Sequence, residues 1–220
     1  MNRKAWSLKG LYAITPDCAN TADLQRRVQL ALTGGARILQ YRNKTADPGL
    51  RLEQAQALRQ LAQRHSVPFI VNDDVQLALQ TDADGVHLGA QDGSLASARH
   101  VLGADRIIGV SCYNRYALAQ AAVQAGADYV AFGAFFPSTV KPDAAVADVA
   151  LLRRAHAGLT VPIVAIGGIT VDNGASLINA GADALAVISA LFEPDDIRAC
   201  AQQFAGLFTS QFTVTQDPVS

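Results

Sequence analysis

Cysteine is scarce in this chain: Cys18, Cys112 and Cys200 are the only three in 220 residues, widely spaced and without a C-x-x-C pair. Such an odd, scattered set gives no disulfide framework and fits a reducing, cytoplasmic setting. Charge of one sign is also missing. Lys and Arg number 18 against 19 Asp and Glu, for a net charge of -1 and a pI near 6.4. No broad polyanion-binding surface is expected, which disfavours nucleic acid as a partner of the whole protein. No apolar run approaches the roughly 20 residues that cross a bilayer, so no membrane partner is expected either. The opening MNRKAWSLKG is basic but has no apolar h-region or cleavage site behind it, and does not read as a secretory signal. The segment LYAITPD carries no glycine cluster, which removes the dinucleotide-binding fingerprint. No linker or shift in composition divides the chain.

What the chain does have is apolar residues, at 50% of the total, enough for one large core. They fall in eight short runs: Leu11–Thr15, Arg37–Arg42, Pro68–Asn72, Gly85–Leu88, Arg106–Cys112, Tyr129–Gly133, Pro162–Gly168 and Leu185–Ser189. Between most of them lies an Ala/Leu/Gln-rich segment with helical periodicity, such as GLRLEQAQALRQLAQRH or RYALAQAAVQAG. Strands alternating with helices imply βα units and a parallel sheet. Eight strand signals around one core favour closure over an open doubly wound sheet. The expected architecture is α/β, a single (β/α)8 TIM barrel over residues 1–220, with a core at about 8–208 and a polar tail at 209–220. The phrase AGAD occurs at Ala125–Asp128 and again at Ala180–Asp183, each time where a helix should end and a strand begin. Its glycine suits a left-handed helix terminus.

Catalysis in such barrels is built at the C-terminal ends of the strands. The second run reads ARILQYRNK, and a side-chain period of two puts Gln40, Arg42 and Lys44 on one face, with Tyr41 and Asn43 on the other. Two cations and an amide on one face suit a pyrophosphate; the plainer reading is a solvated strand end. The third run ends in FIVNDD and the fourth leads into GVHLGAQD, so Asn72, Asp73 and Asp92 should lie at adjacent strand tops. A hard cation such as Mg²⁺ takes one or two carboxylates plus substrate phosphate oxygens and waters. Either aspartate alone reads as a helix N-cap before a ligand; as a pair beside the cationic strand they read as a metal site. His87 has no nearby Cys or His partner and reads as structural. Ser111 ends the fifth run without a His–Asp pair to activate it, so it is a hydroxyl for binding a phosphate oxygen, or simply a satisfied strand-end serine.

Later come FGAFFPSTVKPDA, PIVAIGGIT and ALAVISALF. In the first, two aromatics and a proline shape a stiff loop before Ser138, Thr139 and Lys141, the lysine a further cation for a ligand clamp. The other two are short buried strands that end in small or hydroxylated residues before a helical pattern. Glycine lets backbone approach an anion, and free N–H groups at a helix start point towards it. A phosphate site is therefore expected after the seventh and eighth strands.

In order, LYAITPD, QYRNK, VNDD, HLGAQD, IGVS, the FP-S-x-x-K loop, AIGGI and VIS resemble the thiamine phosphate synthase family, from Leu11 to about Phe192. The resemblance implies a barrel enzyme that joins a hydroxymethylpyrimidine pyrophosphate to a hydroxyethylthiazole phosphate, giving thiamine phosphate and pyrophosphate by a dissociative, Mg²⁺-assisted substitution. It implies that Gln40, Arg42, Lys44, Asn72, Ser111 and Lys141 hold the pyrimidine pyrophosphate, with Arg42, Lys44, Ser111 and Lys141 acting on the leaving group. Asp73 and Asp92 would hold Mg²⁺. Ser138, Thr139, Val140, Gly168, Ile188 and Ser189 would hold the thiazole phosphate. One position departs from the family loop, which usually reads T-x-T-K or S-x-T-K: here Val140 precedes Lys141. Its methyl replaces a hydroxyl, so weaker thiazole phosphate binding is expected. The competing readings are a thiazole tautomerase-like barrel and a non-catalytic sensor of thiamine precursors. A phosphosugar aldolase would want a Schiff-base lysine inside a strand, and no apolar run contains one. The apolar outer helices leave room for a homo-oligomer.

Overall fold

The computed structural model describes residues 6–89, 93–137 and 147–209. Strands and helices alternate along the chain. The first half comprises β1 (Gly10–Ile14), α1 (Thr21–Thr33), β2 (Ile38–Tyr41), α2 (Pro48–His65), β3 (Phe69–Asn72), α3 (Val75–Gln80), β4 (Gly85–Leu88) and α4 (Leu95–Leu102). The second comprises β5 (Ile107–Tyr113), α5 (Tyr116–Gln124), β6 (Tyr129–Phe132), α6 (Val149–Gly158), β7 (Ile163–Ile166), α7 (Val171–Asn179) and β8 (Ala184–Val187), then a one-turn α8 (Ser189–Phe192) and α9 (Ile197–Thr209). Every strand pairs in parallel with its sequence neighbours, and β8 returns to β1, so the sheet closes in the order β1 to β8. The expected (β/α)8 barrel is the observed one, and each strand lies within one or two residues of the apolar run that announced it.

Two apolar layers hold it. Inside the barrel, Tyr12, Ile38, Ile70, Ile107, Tyr129 and Val164 fill the space between the strands, almost wholly buried. Outside, the opposite strand faces (Leu11, Leu39, Val71, Val86) pack with helix residues such as Leu24, Leu58 and Phe204. Both faces of the strands are therefore largely buried, which is why the strands read as continuous apolar runs rather than alternating ones. Fully burying one such Leu or Ile side chain contributes about 1.5–3 kcal/mol.

Local chemistry sets the helix ends. Asn20, Asp47, Asp74, Ser94 and Asp148 cap α1, α2, α3, α4 and α6 by accepting a hydrogen bond from a first-turn N–H. Gly126 and Gly181 take φ of 91° and 105° just past α5 and α7, the left-handed stop expected of AGAD. The aspartate of that phrase does more than follow it. Asp128 Oδ2 accepts the Ile108 N–H (2.8 Å) and Arg99 Nη2 (2.6 Å), while Asp183 Oδ2 accepts the Ile163 N–H (3.0 Å) with Lys9 at 3.3 Å from its other oxygen. Asp84, before β4, does the same for Phe69 of β3 with Arg59 as the cation. Each carboxylate stands before an even-numbered strand and ties it to the odd-numbered strand preceding it, at the N-terminal end of the barrel.

Candidate active site

At the other end, β2 stops at Tyr41, one residue short of the cations it was expected to carry. The chain leaves the sheet because side chains replace the ladder: the Arg42 N–H donates to Thr15 Oγ1 (2.8 Å), whose hydroxyl donates back to the Arg42 carbonyl (2.8 Å). Strand alternation thus ends at residue 41, yet Arg42 and Lys44 still converge. Asp17 Oδ1 accepts from Arg42 Nη1 at 3.2 Å and from the Lys44 N–H at 2.8 Å. Lys44 Nζ lies 3.9 Å from Asp73 Oδ2. Behind them, Asn43 and Gln54 donate to the Cys18 carbonyl (2.8 and 2.9 Å), and the Tyr41 hydroxyl donates to Gln54 Oε1. Burial pushes the Tyr41 phenol up to about 12, so it remains a donor there. The cationic corner is braced from both sides, and Asp17, the residue that organises it, was legible only as part of LYAITPD.

Asn72 ends β3, and the next residue, Asp73, adopts φ 64° with its N–H donating to the His87 carbonyl at 2.8 Å. The helix that follows is capped by Asp74, which also pairs with Arg51 at 2.9 Å. The N-cap explanation for Asp73 therefore fails, and its carboxylate stands at the strand tops instead. Asp92 lies outside the described residues; the N-cap of α4 is Ser94. Among the described residues no group of three or more His, Cys, Asp or Glu side chains could hold a metal ion.

Gln40 and Ser111 open into the barrel interior. Gln40 is buried, with Nε2 donating to the Tyr12 hydroxyl at 2.8 Å. Ser111 lies where the β5–β6 register shifts, its Oγ 2.9 Å from His87 Nε2. The histidine's other nitrogen is 2.9 Å from the Tyr129 hydroxyl, and the His87 and Tyr129 rings stack at 5.5 Å. His87, read from the sequence as structural, ties a candidate site residue to the core through these contacts. Tyr12 and Tyr129 share a 2.8 Å hydrogen bond, and burial holds both phenols above their ordinary value.

Across the barrel mouth the backbone takes over. Gly167 and Gly168, at φ 101° and 62°, turn the chain from β7 into α7. A Cβ on Gly168 would collide with the Pro137 carbonyl and Phe136, so only glycine fits between these loops. The Thr170–Asn173 capping box fixes the turn, and Asn173 Nδ2 donates to the Gly168 carbonyl at 3.0 Å. Ile188 rests on the interior cluster and starts α8 at Ser189, where the first N–H groups have no intrahelical partner. Ser138, Thr139, Val140 and Lys141 lie outside the described residues, as do residues 210–220 of the tail; Pro137 is the last described residue before that loop.

A closed parallel barrel with its polar side chains gathered at the strand C-terminal ends has the layout of a TIM-barrel enzyme. The family model described as thiamine monophosphate synthase matches residues 11–191. The thiamine-phosphate synthase of Methylobacillus flagellatus is 57% identical over 201 residues, covering 91% of this chain and 96% of its own. That of an Azoarcus species is 54% identical over 201 residues, with 91% and 98% covered. The solved thiamine phosphate pyrophosphorylase from Pyrococcus furiosus superposes with a TM-score of 0.84 at 34% identity, covering 93% of this chain and 97% of its own. The chain belongs to the thiamine monophosphate synthase family, and its place is that of a transferase in thiamine biosynthesis. No helix among the described residues is long and apolar enough to cross a membrane.

Proposed function

We propose that the strand tops bind hydroxymethylpyrimidine pyrophosphate and hydroxyethylthiazole phosphate side by side and join them into thiamine phosphate, releasing pyrophosphate. The observation that carries this reading is the braced corner in which Asp17 holds Arg42 and Lys44 beside Asp73. A cationic corner fixed before ligand arrives suits a leaving group on which negative charge builds. The pyrimidine methylene C–O bond breaks with both electrons going to pyrophosphate, the electron-rich aminopyrimidine carries the resulting cation, and the thiazole nitrogen closes the new C–N bond. No nucleophile or base on the protein is needed; the catalytic demand is electrostatic preorganisation and positioning.

Gln40, Arg42, Lys44, Asn72, Ser111 and Lys141 hold the pyrimidine substrate, and Arg42, Lys44, Ser111 and Lys141 act on the departing pyrophosphate. Gly168, Ile188 and Ser189 cradle the thiazole phosphate, together with Ser138, Thr139 and Val140. The donor set suits Mg²⁺: Asp73 brings an oxygen ligand that is not engaged in capping, and this ion needs only one or two carboxylates when substrate phosphates complete its shell. Asp73 and Asp92 would hold it, and when bound it supplies charge neutralisation to the pyrophosphate. The three cysteines, free in this structure, suit a cytoplasmic enzyme whose partners are small molecules.

The test is to mix purified protein with both phosphorylated precursors, with Mg²⁺ and then with EDTA, and follow thiamine phosphate. Mg²⁺-dependent product is expected. No product, with thiazole phosphate still binding, would sink this reading in favour of a tautomerase or sensor.

A further inference from the structure

Four hydrogen bonds thread five side chains across the barrel interior, in the order Gln40, Tyr12, Tyr129, His87 and Ser111. The interior of an eight-stranded barrel is ordinarily packed with branched apolar side chains, so a polar file through it needs a reason. Space has been made for it: a Cβ on Gly109 of β5 would fall inside the Tyr129 ring. The two ends of the file are residues placed at the substrate above, and the three between them have no role there.

Proton counting gives the file a direction, since hydroxyl and imidazole hydrogens follow from the network around them. Each phenol has one hydrogen to give. Gln40 Nε2 donates to Tyr12, so the Tyr12 hydrogen goes to Tyr129, and that of Tyr129 goes to His87 Nδ1. A neutral imidazole that accepts at Nδ1 carries its hydrogen on Nε2, which then donates to Ser111 Oγ. The serine has its own hydrogen left for a ligand. The reverse wiring would need the Gln40 amide turned over, and Ser111 would then give its hydrogen to His87.

We propose that His87 is a positioning residue for the reaction: with Tyr129 and Tyr12 behind it, it holds the Ser111 hydroxyl as a donor towards the departing pyrophosphate. A donor is what an anionic oxygen requires, and charge-assisted bonds of this kind are the strong ones. The proposal rests on the assignment of Ser111 to the pyrophosphate.

A double-mutant cycle separates the two. Ser111→Ala, His87→Ala and the double variant are compared by kcat, by KM for each substrate, and by thermal melting. Ser111→Ala is expected to lower kcat by about tenfold to a hundredfold, the loss of one hydrogen bond to a charged group. His87→Ala should lower kcat by about tenfold with KM for thiazole phosphate unchanged, and should add nothing once Ser111 is gone. His87→Gln, which keeps a terminal N–H near Nε2, should recover part of the loss. Losses that multiply in the double variant, or a wild-type kcat in His87→Ala, would overturn the proposal. A wild-type kcat in Ser111→Ala would overturn the serine's assignment itself, a distinguishable result. If His87→Ala does not fold, Tyr129→Phe breaks the same file while keeping the ring. Paired with Ser111→Ala in the same cycle, it should also add nothing once the serine is gone, and multiplying losses or a wild-type kcat would again overturn the proposal.

Discussion

The two ends of this barrel use the same residue types for opposite purposes. At the N-terminal end, Asp84, Asp128 and Asp183 each bind a strand N–H and a cation, so both charges are consumed in holding neighbouring strands in register. At the C-terminal end, Asp17 also binds an arginine and a backbone N–H, but that N–H belongs to a loop and the arginine faces the strand tops. The geometry of an Arg–Asp pair is thus no guide to its role; what the carboxylate's second bond ties down is. At one end the pair closes a sheet, and at the other it aims a cation.

Breaking the C-terminal set should cost activity without stability. Arg42→Ala and Lys141→Ala are expected to lower kcat by about 10²–10³-fold, the scale of losing a preorganised group that meets transition-state charge, with melting temperatures close to wild type. Steady-state kinetics beside a melt checks both, and near-normal turnover would remove these cations from the chemistry. The N-terminal set should behave the other way round. Asp128→Ala leaves the Ile108 N–H and Arg99 without their carboxylate, at a cost of about 2–3 kcal/mol. In a chain of this size that is a fall of roughly 4–12 °C in Tm, with kcat at 25 °C unchanged. A large drop in kcat would show that the two ends are coupled.

A finer probe is Val140→Thr, which restores the hydroxyl usual in the family. One hydrogen bond to a charged group is worth about 1.5–3 kcal/mol, so KM for thiazole phosphate should fall at least about tenfold while KM for the pyrimidine substrate holds. The smallest effect belongs to an exposed pair at the N-terminal end. The hydrogen bond from Arg106 holds the Asp82 carboxyl below the usual carboxylate range. Its folded pKa lies below the unfolded value near 3.9. The stability it lends is therefore present above about pH 4 and lost as pH falls through the lower folded value. Asp82 is 69% exposed, so the contribution is under about 1 kcal/mol. Urea midpoints at pH 6 and pH 3 should differ slightly less in Arg106→Ala than in wild type; an equal difference would count against the pair.

Much of this was readable along the chain. The eight apolar runs became the eight strands because buried parallel strands need both faces apolar, a pattern confined to about four to seven consecutive residues. AGAD marked helix ends because only glycine takes that backbone cheaply. Gln40 sits where a strand's local period of two places it, facing the barrel interior. Arg42 and Lys44 lie beyond Tyr41, where that alternation stops, and meet for another reason, through Asp17. The helix caps were harder: Asp73 and Asp74 are adjacent and chemically alike, and only the backbone shows that the second caps α3 and the first does not.

What the sequence determined by itself is whatever depends on neighbours in the chain: strand and helix periodicity, left-handed glycines, the barrel class and the motifs of its family. What only the tertiary structure decided is who meets whom across the barrel. Asp17 reaches Arg42 from 25 residues away, His87 reaches Ser111 from 24, and Tyr12 reaches Tyr129 from 117. No local pattern encodes those meetings. They exist because closing eight strands brings β1, β4, β5 and β6 within hydrogen-bond reach of one another, where buried donors and acceptors must satisfy each other.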